Sequence, residues 1–426
     1  MNCSSVLLAA TCLLSVVNAQ WLETTIQVGN SPFALCYNPQ NDKVYSANQY
    51  SSNVTVIDGA TNAVIATIAT DYGASALCYN LTNNKVYCAN HSACNVTVID
   101  GTADSVIATV ATGSLSAQLC HNSLDNKVYC SNWGGDSVTV IDGATNGVIA
   151  NIAAYSHPWG LCFNSLDDKV YCAIYNDTMG YVTVIDGRTN HPTWIRLGAL
   201  VQPHVLCYDV QQNKVFCGDQ AGSSVIVIDG ATDSIIARVT TGRSPYDLCY
   251  DTQRDRIYCA DRGSDSVSVV DGATNLVVAT VPAGSEPFAL CYDSVYDKVY
   301  CANKGSNDVT VIDAAADSVI RTIAVGRGPC ALVCNPAQSR VYVANNRDSS
   351  ISVIRDSMTG IAESPKPQAS SRKLEPTVIR SLPQGAVAFD AMGRRVLNPR
   401  SGILFVREPS AVGRQPSTVN KVITTR

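Results

Sequence analysis

A chain of 426 residues with 46% hydrophobic and only 15% charged side chains has the material for a buried core and too little charge for a solvated, disordered polymer. Its net charge of -5 leaves no basic surplus to displace counterions from phosphates, which argues against nucleic acid as a partner. Beyond the first residues nothing approaches the roughly 18 consecutive apolar residues that cross a bilayer as a helix, so no transmembrane segment is expected.

The chain opens with MNCSSVLLAATCLLSVVNA, an apolar run ending in small side chains, which predicts a signal peptide over residues 1–19 with cleavage before Gln20. Of 18 cysteines, 16 lie beyond that leader, and cysteines in an exported chain point to disulfides. The next stretch, TTIQVG, reads as a single strand without a hairpin partner beside it.

From there the chain repeats. Lys43, Lys85, Lys127, Lys169, Lys214, Arg256, Lys298 and Arg340 each open a KVY-like string, at intervals of 42 residues with one of 45. A fixed period of this size marks stacked supersecondary units. Each copy holds four short β-type runs, as in SALCY, KVYCA, VTVID and VIATV of the second, separated by hairpin-type turns. Four antiparallel strands in about 42 residues is one propeller blade. The eighth copy lacks its fourth strand, and the orphan TTIQVG supplies one, so pairing the two would close the ring and remove its open edges. The expected fold is all-β, a β-propeller over residues 20–355 with eight four-stranded blades, seven being left open.

On these residues the chain resembles a known family: KVYSANQYSSNVTVIDGATNAVIATI, residues 43–68, is similar to the YVTN β-propeller repeat. The resemblance implies an extracellular or surface-exposed propeller and leaves its ligand unspecified.

Within the repeat, strings such as LCYNLTNNKVYC set two cysteines ten positions apart. With the turn centred on Asn83, Cys78 and Cys88 would face each other, as would Cys120 and Cys130, Cys162 and Cys172, Cys207 and Cys217, Cys249 and Cys259, and Cys291 and Cys301. Opposed strand residues have Cα atoms about 4.5–5.5 Å apart, within disulfide range. Two readings stay open: six crosslinks inside blades, or buried thiols acting as small apolar side chains. Copy one has Cys36 facing Ser46, and copy eight has Val333 facing Val343. No metal and no cofactor are expected, since two thiolates make half a zinc site and no Cys-x-x-Cys or neighbouring His completes it.

The recurring Asp-Gly steps, Asp58 to Asp271, read as turns in which Asp caps the backbone and Gly accepts positive φ. The recurring tyrosines, Tyr45 to Tyr342, read as packing between blades. Function is expected where the copies differ. At the entry to the innermost strand stand Phe33, Ser75, Ala117, Trp159, His204, Tyr246, Phe288 and Cys330, five of them aromatic or His. After the second strand come Asn48, His91, Trp133, Tyr175, Asp219, Arg262, Lys304 and Arg347. Rigid rings with mixed charge suit a glycan, peptide or protein partner. The ligand-binding candidates are therefore Phe33, Trp159, His204, Tyr246, Phe288, His91, Trp133, Arg262 and Lys304.

Catalytic residues are not expected: the five histidines, His91, His121, His157, His191 and His204, fall in different copies without a triad or metal-ligand spacing. The competing readings are a propeller enzyme of the lactonase type working at the channel mouth, and a structural surface-layer component.

Residues 356–374 contain SPKPQASSR, a linker composition. Residues 375–426 then carry eight Lys or Arg against three Asp or Glu. Their β-type runs predict a small β-sandwich-like domain. FDAMGRRV, SGILFVR and NKVITTR resemble the C-terminal sorting domain of bacterial type IX secretion substrates, which implies outer-membrane export machinery as a partner and a secreted or cell-surface location.

Overall fold

The computed structural model describes residues 19–357 and the strands Val387–Phe389, Arg395–Val396, Gly402–Arg407 and Val419–Thr424. The chain divides into two compact units, residues 1–362 and 363–426. The leader, most of the linker and much of the tail lie outside the described residues. Among the described residues no helix is long and apolar enough to cross a membrane.

The first unit is a propeller of eight four-stranded antiparallel sheets. Blade 2 shows the pattern: Ala74–Asn80 is innermost, followed outward by Lys85–Asn90, Asn95–Asp100 and Ser105–Ala111. The two middle strands are buried on both faces and the fourth is half exposed, which explains why VTVID is continuously apolar while VIATV alternates. Blade 8 takes its outermost strand from the start of the chain: Ala19–Gln27 pairs with Ser350–Ser357, Gln20 opposite Asp356 and Gln27 opposite Ser350. Arg340 fastens the junction with two bonds to Glu23, at 2.7 and 2.6 Å. The eight-blade ring is thus closed by the borrowed strand.

The KVY string is the joint between blades. Lys43 Nζ reaches the turn of blade 2, donating to the Gly101 and Thr102 carbonyls and to Asp104 at 2.7 Å. Tyr45, fully buried, donates its hydroxyl to Asp104 Oδ1 at 2.8 Å. Burial and that carboxylate hold the phenol protonated far above its usual range. Beside this joint, in five blades, the Asn that ends the innermost strand crosses to the next blade. Asn38, Asn80 and Asn164 donate Nδ2 to Asn84, Asn126 and Asn213, each at 2.8–2.9 Å.

The glycine of the Asp-Gly turn serves this contact. Positive φ falls three residues past it, at Asn62, Asp104 and Asn146. A Cβ at Gly101 would stand 2.6 Å from Asn84 Oδ1 and 2.7 Å from Asn38 Nδ2. The aspartate does cap its turn, Asp58 Oδ1 accepting from the Thr61 N–H and hydroxyl at 2.7 Å.

The expected cysteine pairing is corrected by the register. The loop between the first two strands has four residues, Leu81 to Asn84, so Asn80 pairs with Lys85, Cys78 with Tyr87, and Cys88 with Leu77. Cys78 and Cys88 therefore point to opposite faces of their sheet. The same offset separates Cys120 from Cys130, Cys162 from Cys172, Cys207 from Cys217, Cys249 from Cys259, and Cys291 from Cys301. In copy one Cys36 pairs with Tyr45, and in copy eight Val333 pairs with Tyr342.

Across five blade interfaces the inner cysteine instead shares a core with the second-strand cysteine of the next blade. Cys36 shares a core with Cys88, Cys78 with Cys130, Cys162 with Cys217, Cys207 with Cys259, and Cys249 with Cys301. These are free, mostly buried thiols, and burial pushes Cys78 up to about 12. Blade 8 carries Val343 at the second position, and there Cys291 bonds Cys334 of blade 8 in a disulfide between blades.

In the second unit the described segments form one antiparallel sheet, with Val387 opposite Arg407 and Gly402 opposite Thr424. A β-sandwich is a matter for residues outside those described.

Candidate functional site

The chain enters each blade beside the channel through a proline or small residue, usually preceded by positive φ, as at Ser31, His157, Ser244 and Glu286. A β-bulge follows. Pro32 pairs with Asn48 and Ala34 with Ala47, leaving Phe33 unpaired. The same slip leaves Ser75, His204, Tyr246, Phe288 and Cys330 as unpaired residues. Bulges re-aim a side chain out of the ladder. Here they aim it over the channel, and freedom from the ladder is why this position varies between copies.

The result is a cavity of about 370 Å³ whose mouth is ringed by Phe33, Ser75, Trp159, His204, Tyr246, Phe288 and Cys330. Leucines from seven blades, Leu35 to Leu332, narrow it below. Four rings form a continuous arc over blades 4 to 7. Trp159 stacks on His204 at 5.5 Å between centroids, His204 meets Tyr246 at 4.7 Å, and Tyr246 meets Phe288 at 4.3 Å. Trp159 is fixed from behind, its carbonyl accepting from Ser131 Oγ at 2.7 Å.

Charge gathers at one end of the arc. Arg262 lies over Tyr246, 5.2 Å from guanidinium carbon to centroid, and Lys304 Nζ is 3.9 Å from the Phe288 centroid. Burial, and then the Arg262 charge, push His204 down to about 4, so its imidazole is neutral and acts as a ring. Between rim and leucines the copies carry Ala34, Ala76, Gln118, Gly160, Val205, Asp247, Ala289 and Ala331. Burial pushes the Asp247 carboxyl up to about 7, against the pull of its bonds from the Leu290 N–H at 2.8 Å and the Leu248 N–H at 3.0 Å.

Of the residues expected at the site, Phe33, Trp159, His204, Tyr246 and Phe288 converge on the mouth, with Arg262 and Lys304 seated on its rings. Trp133 packs on His157 at 4.6 Å, and His91 is partly buried with its N–H on the Gly73 carbonyl; neither lines the cavity. Asn48 and Asp219 prove to be the ends of second strands and are buried, Asn48 donating to Asn53 at 2.8 Å. Asp247 and Gln118 were missed; their signal was a polar residue where other copies have Ala, Gly or Val. Among the described residues no group of three or more His, Cys, Asp or Glu could hold a metal ion.

Residues 90–370, about two thirds of the chain, match the YNCE-like β-propeller family. The chain belongs to that family. No curated protein matches this YNCE-like propeller. Solved structures similar to it include hydrazine synthase of Kuenenia stuttgartiensis, at 18% identity and TM-score 0.55 over 67% of this chain and 96% of that one. The dihydro-heme d1 dehydrogenase NirN, solved in complex with DHE, is 13% identical with TM-score 0.61 over 75% and 72%. Sqt1 of Saccharomyces cerevisiae is 12% identical with TM-score 0.68 over 78% and 98%. At these identities the likeness is one of fold, and the three differ in function.

Proposed function

We propose that this YNCE-like propeller is an exported binding module that holds a glycan, peptide or protein segment at its channel mouth. The observation that carries the reading is the arc Trp159–His204–Tyr246–Phe288, presented by unpaired bulge residues over a cavity of about 370 Å³, a volume typical of ligand sites. Rings held by packing on one another lose little entropy on binding and offer large contact areas. A binding role is favoured over a lactonase-type one because His204, the one histidine on the arc, is packed between Trp159 and Tyr246 and, with its pKa pushed down to about 4, is a weak base at neutral pH. Export rests on the signal-type leader and the sorting-type tail.

The test is a glycan and peptide array probed with the whole protein and with Trp159→Ala and Tyr246→Ala. Retention of specific ligands by the parent and their loss from both variants is expected. Ligands retained equally by both variants, or turnover of lactones abolished by the same substitutions, would refute it.

A further inference from the structure

The arc alone would accept many flat or partly apolar ligands, but the charge around it narrows the choice. Three cations, Arg262, Lys304 and Arg347, share this part of the rim, close enough for the other two to depress the Lys304 pKa, with burial the larger cause. The carboxylate paired with them is Glu286, 3.3 Å from Arg262. Lys304 makes no ion pair among the described residues and rests on the Phe288 ring. With Arg262 and Lys304 already on Tyr246 and Phe288, the rings do not form a cage for a cationic ligand. The uncompensated charge at the mouth is positive, although the chain as a whole is acidic.

Shape and polarity narrow it further. At the rim position blades 2 and 3 carry small, buried side chains, Ser75 and Ala117, so they add no ring to the mouth. The polar side chains in the layer below are Gln118 and Asp247. Asp247 is held by two backbone N–H groups and keeps lone pairs for a hydroxyl donor. An occupant matching all three features carries a carboxylate for Lys304 and Arg262, an apolar ring face for the aromatic arc, and hydroxyls for Gln118 and Asp247. Resting on the binding role proposed above, we infer that the mouth selects an acidic sugar, a hexuronic acid residue of a glycan. An aromatic acid lacks the hydroxyls, and an acidic peptide side chain lacks the ring face.

The experiment is calorimetric titration of the full chain with trigalacturonic acid, its methyl ester and a poly-Glu peptide, repeated with Lys304→Met, Lys304→Gln and Trp159→Ala. The acid should bind at least tenfold more tightly than the ester. Both Lys304 variants should erase that preference while leaving the thermal midpoint in place. Trp159→Ala should weaken acid and ester alike. Equal affinity for acid and ester, or a preference that survives both Lys304 variants, overturns the acidic-sugar assignment; if Trp159→Ala still weakens the sugar, the binding role stands. Preference for the peptide also overturns the assignment. Binding of none of the three overturns it as well, and binding indifferent to Trp159→Ala removes the binding role too.

Discussion

Where five blades end the innermost strand in Asn, blades 5 to 7 have Asp209, Asp251 and Asp293, all buried, each with an Oδ2 that meets no hydrogen-bond donor among the described residues. Asp209 occupies the place from which Asn164 donates to Asn213 at 2.9 Å, and its opposite number is another carboxylate, Asp255. Asp255 Oδ1 already accepts from Tyr250 at 3.0 Å, as Asn84 Oδ1 accepts from Tyr79 at 3.2 Å while also taking the Asn38 amide. Asp209→Asn should therefore complete the contact that the five Asn blades make. An unsatisfied buried oxygen costs about 1–3 kcal/mol, and a hydrogen bond to a charged acceptor contributes a similar amount. Because these overlap, the expected gain is ~1–3 kcal/mol at pH 8. Burial is the main cause that raises the Asp209 pKa above its ordinary value, and the Asp255 charge adds to it. The folded wild type thus takes up a proton as pH falls through that raised value, and the protonated acid can donate as the amide does. The variant's advantage is full above the raised pKa and gone below the ordinary carboxylate value of about 4. Denaturant midpoints at pH 8 and pH 5 measure this. No gain at pH 8, or a gain equal at both, would refute the reasoning.

Gly101→Ala should destabilise by about 1–3 kcal/mol through overpacking against Asn84 and Asn38, read as a lower thermal midpoint. In denatured, unreduced protein a thiol titration should find one disulfide, Cys291–Cys334, and the other cysteines of the propeller free; reaction before denaturation should be slow, because burial keeps thiols such as Cys130 protonated, pushed up to about 12. His204 is depressed to about 4, so the unfolded chain takes its proton first, and His204 should cost stability as pH falls from about 6.5 toward 4; His204→Phe should flatten that part of a midpoint-against-pH curve.

Periodicity made the architecture legible, because forty-two residues with four apolar runs and a missing last strand leave little but a ring closed by TTIQVG. The cysteine geometry was lost to one residue. Centring the turn on Asn83 assumes an odd loop, whereas Asn80 caps Thr82 and Asn83 and Asn84 takes positive φ, giving four loop residues and turning every later side chain over. The aromatic mouth was legible because bulge residues escape the ladder and vary. Asp247 and the three buried aspartates were not singled out, since a change from Ala or Asn to Asp reads as ordinary drift until the position is seen to be enclosed.

Ala19 lies directly opposite Ser357, so the polypeptide enters and leaves the disc at one spot on its circumference. That spot is at the strand ends shared with the Asp-capped turns, on the side facing away from the cavity opening. The aromatic face is therefore built without Ala19 or Ser357, so its residues can change without touching the seam that closes the ring.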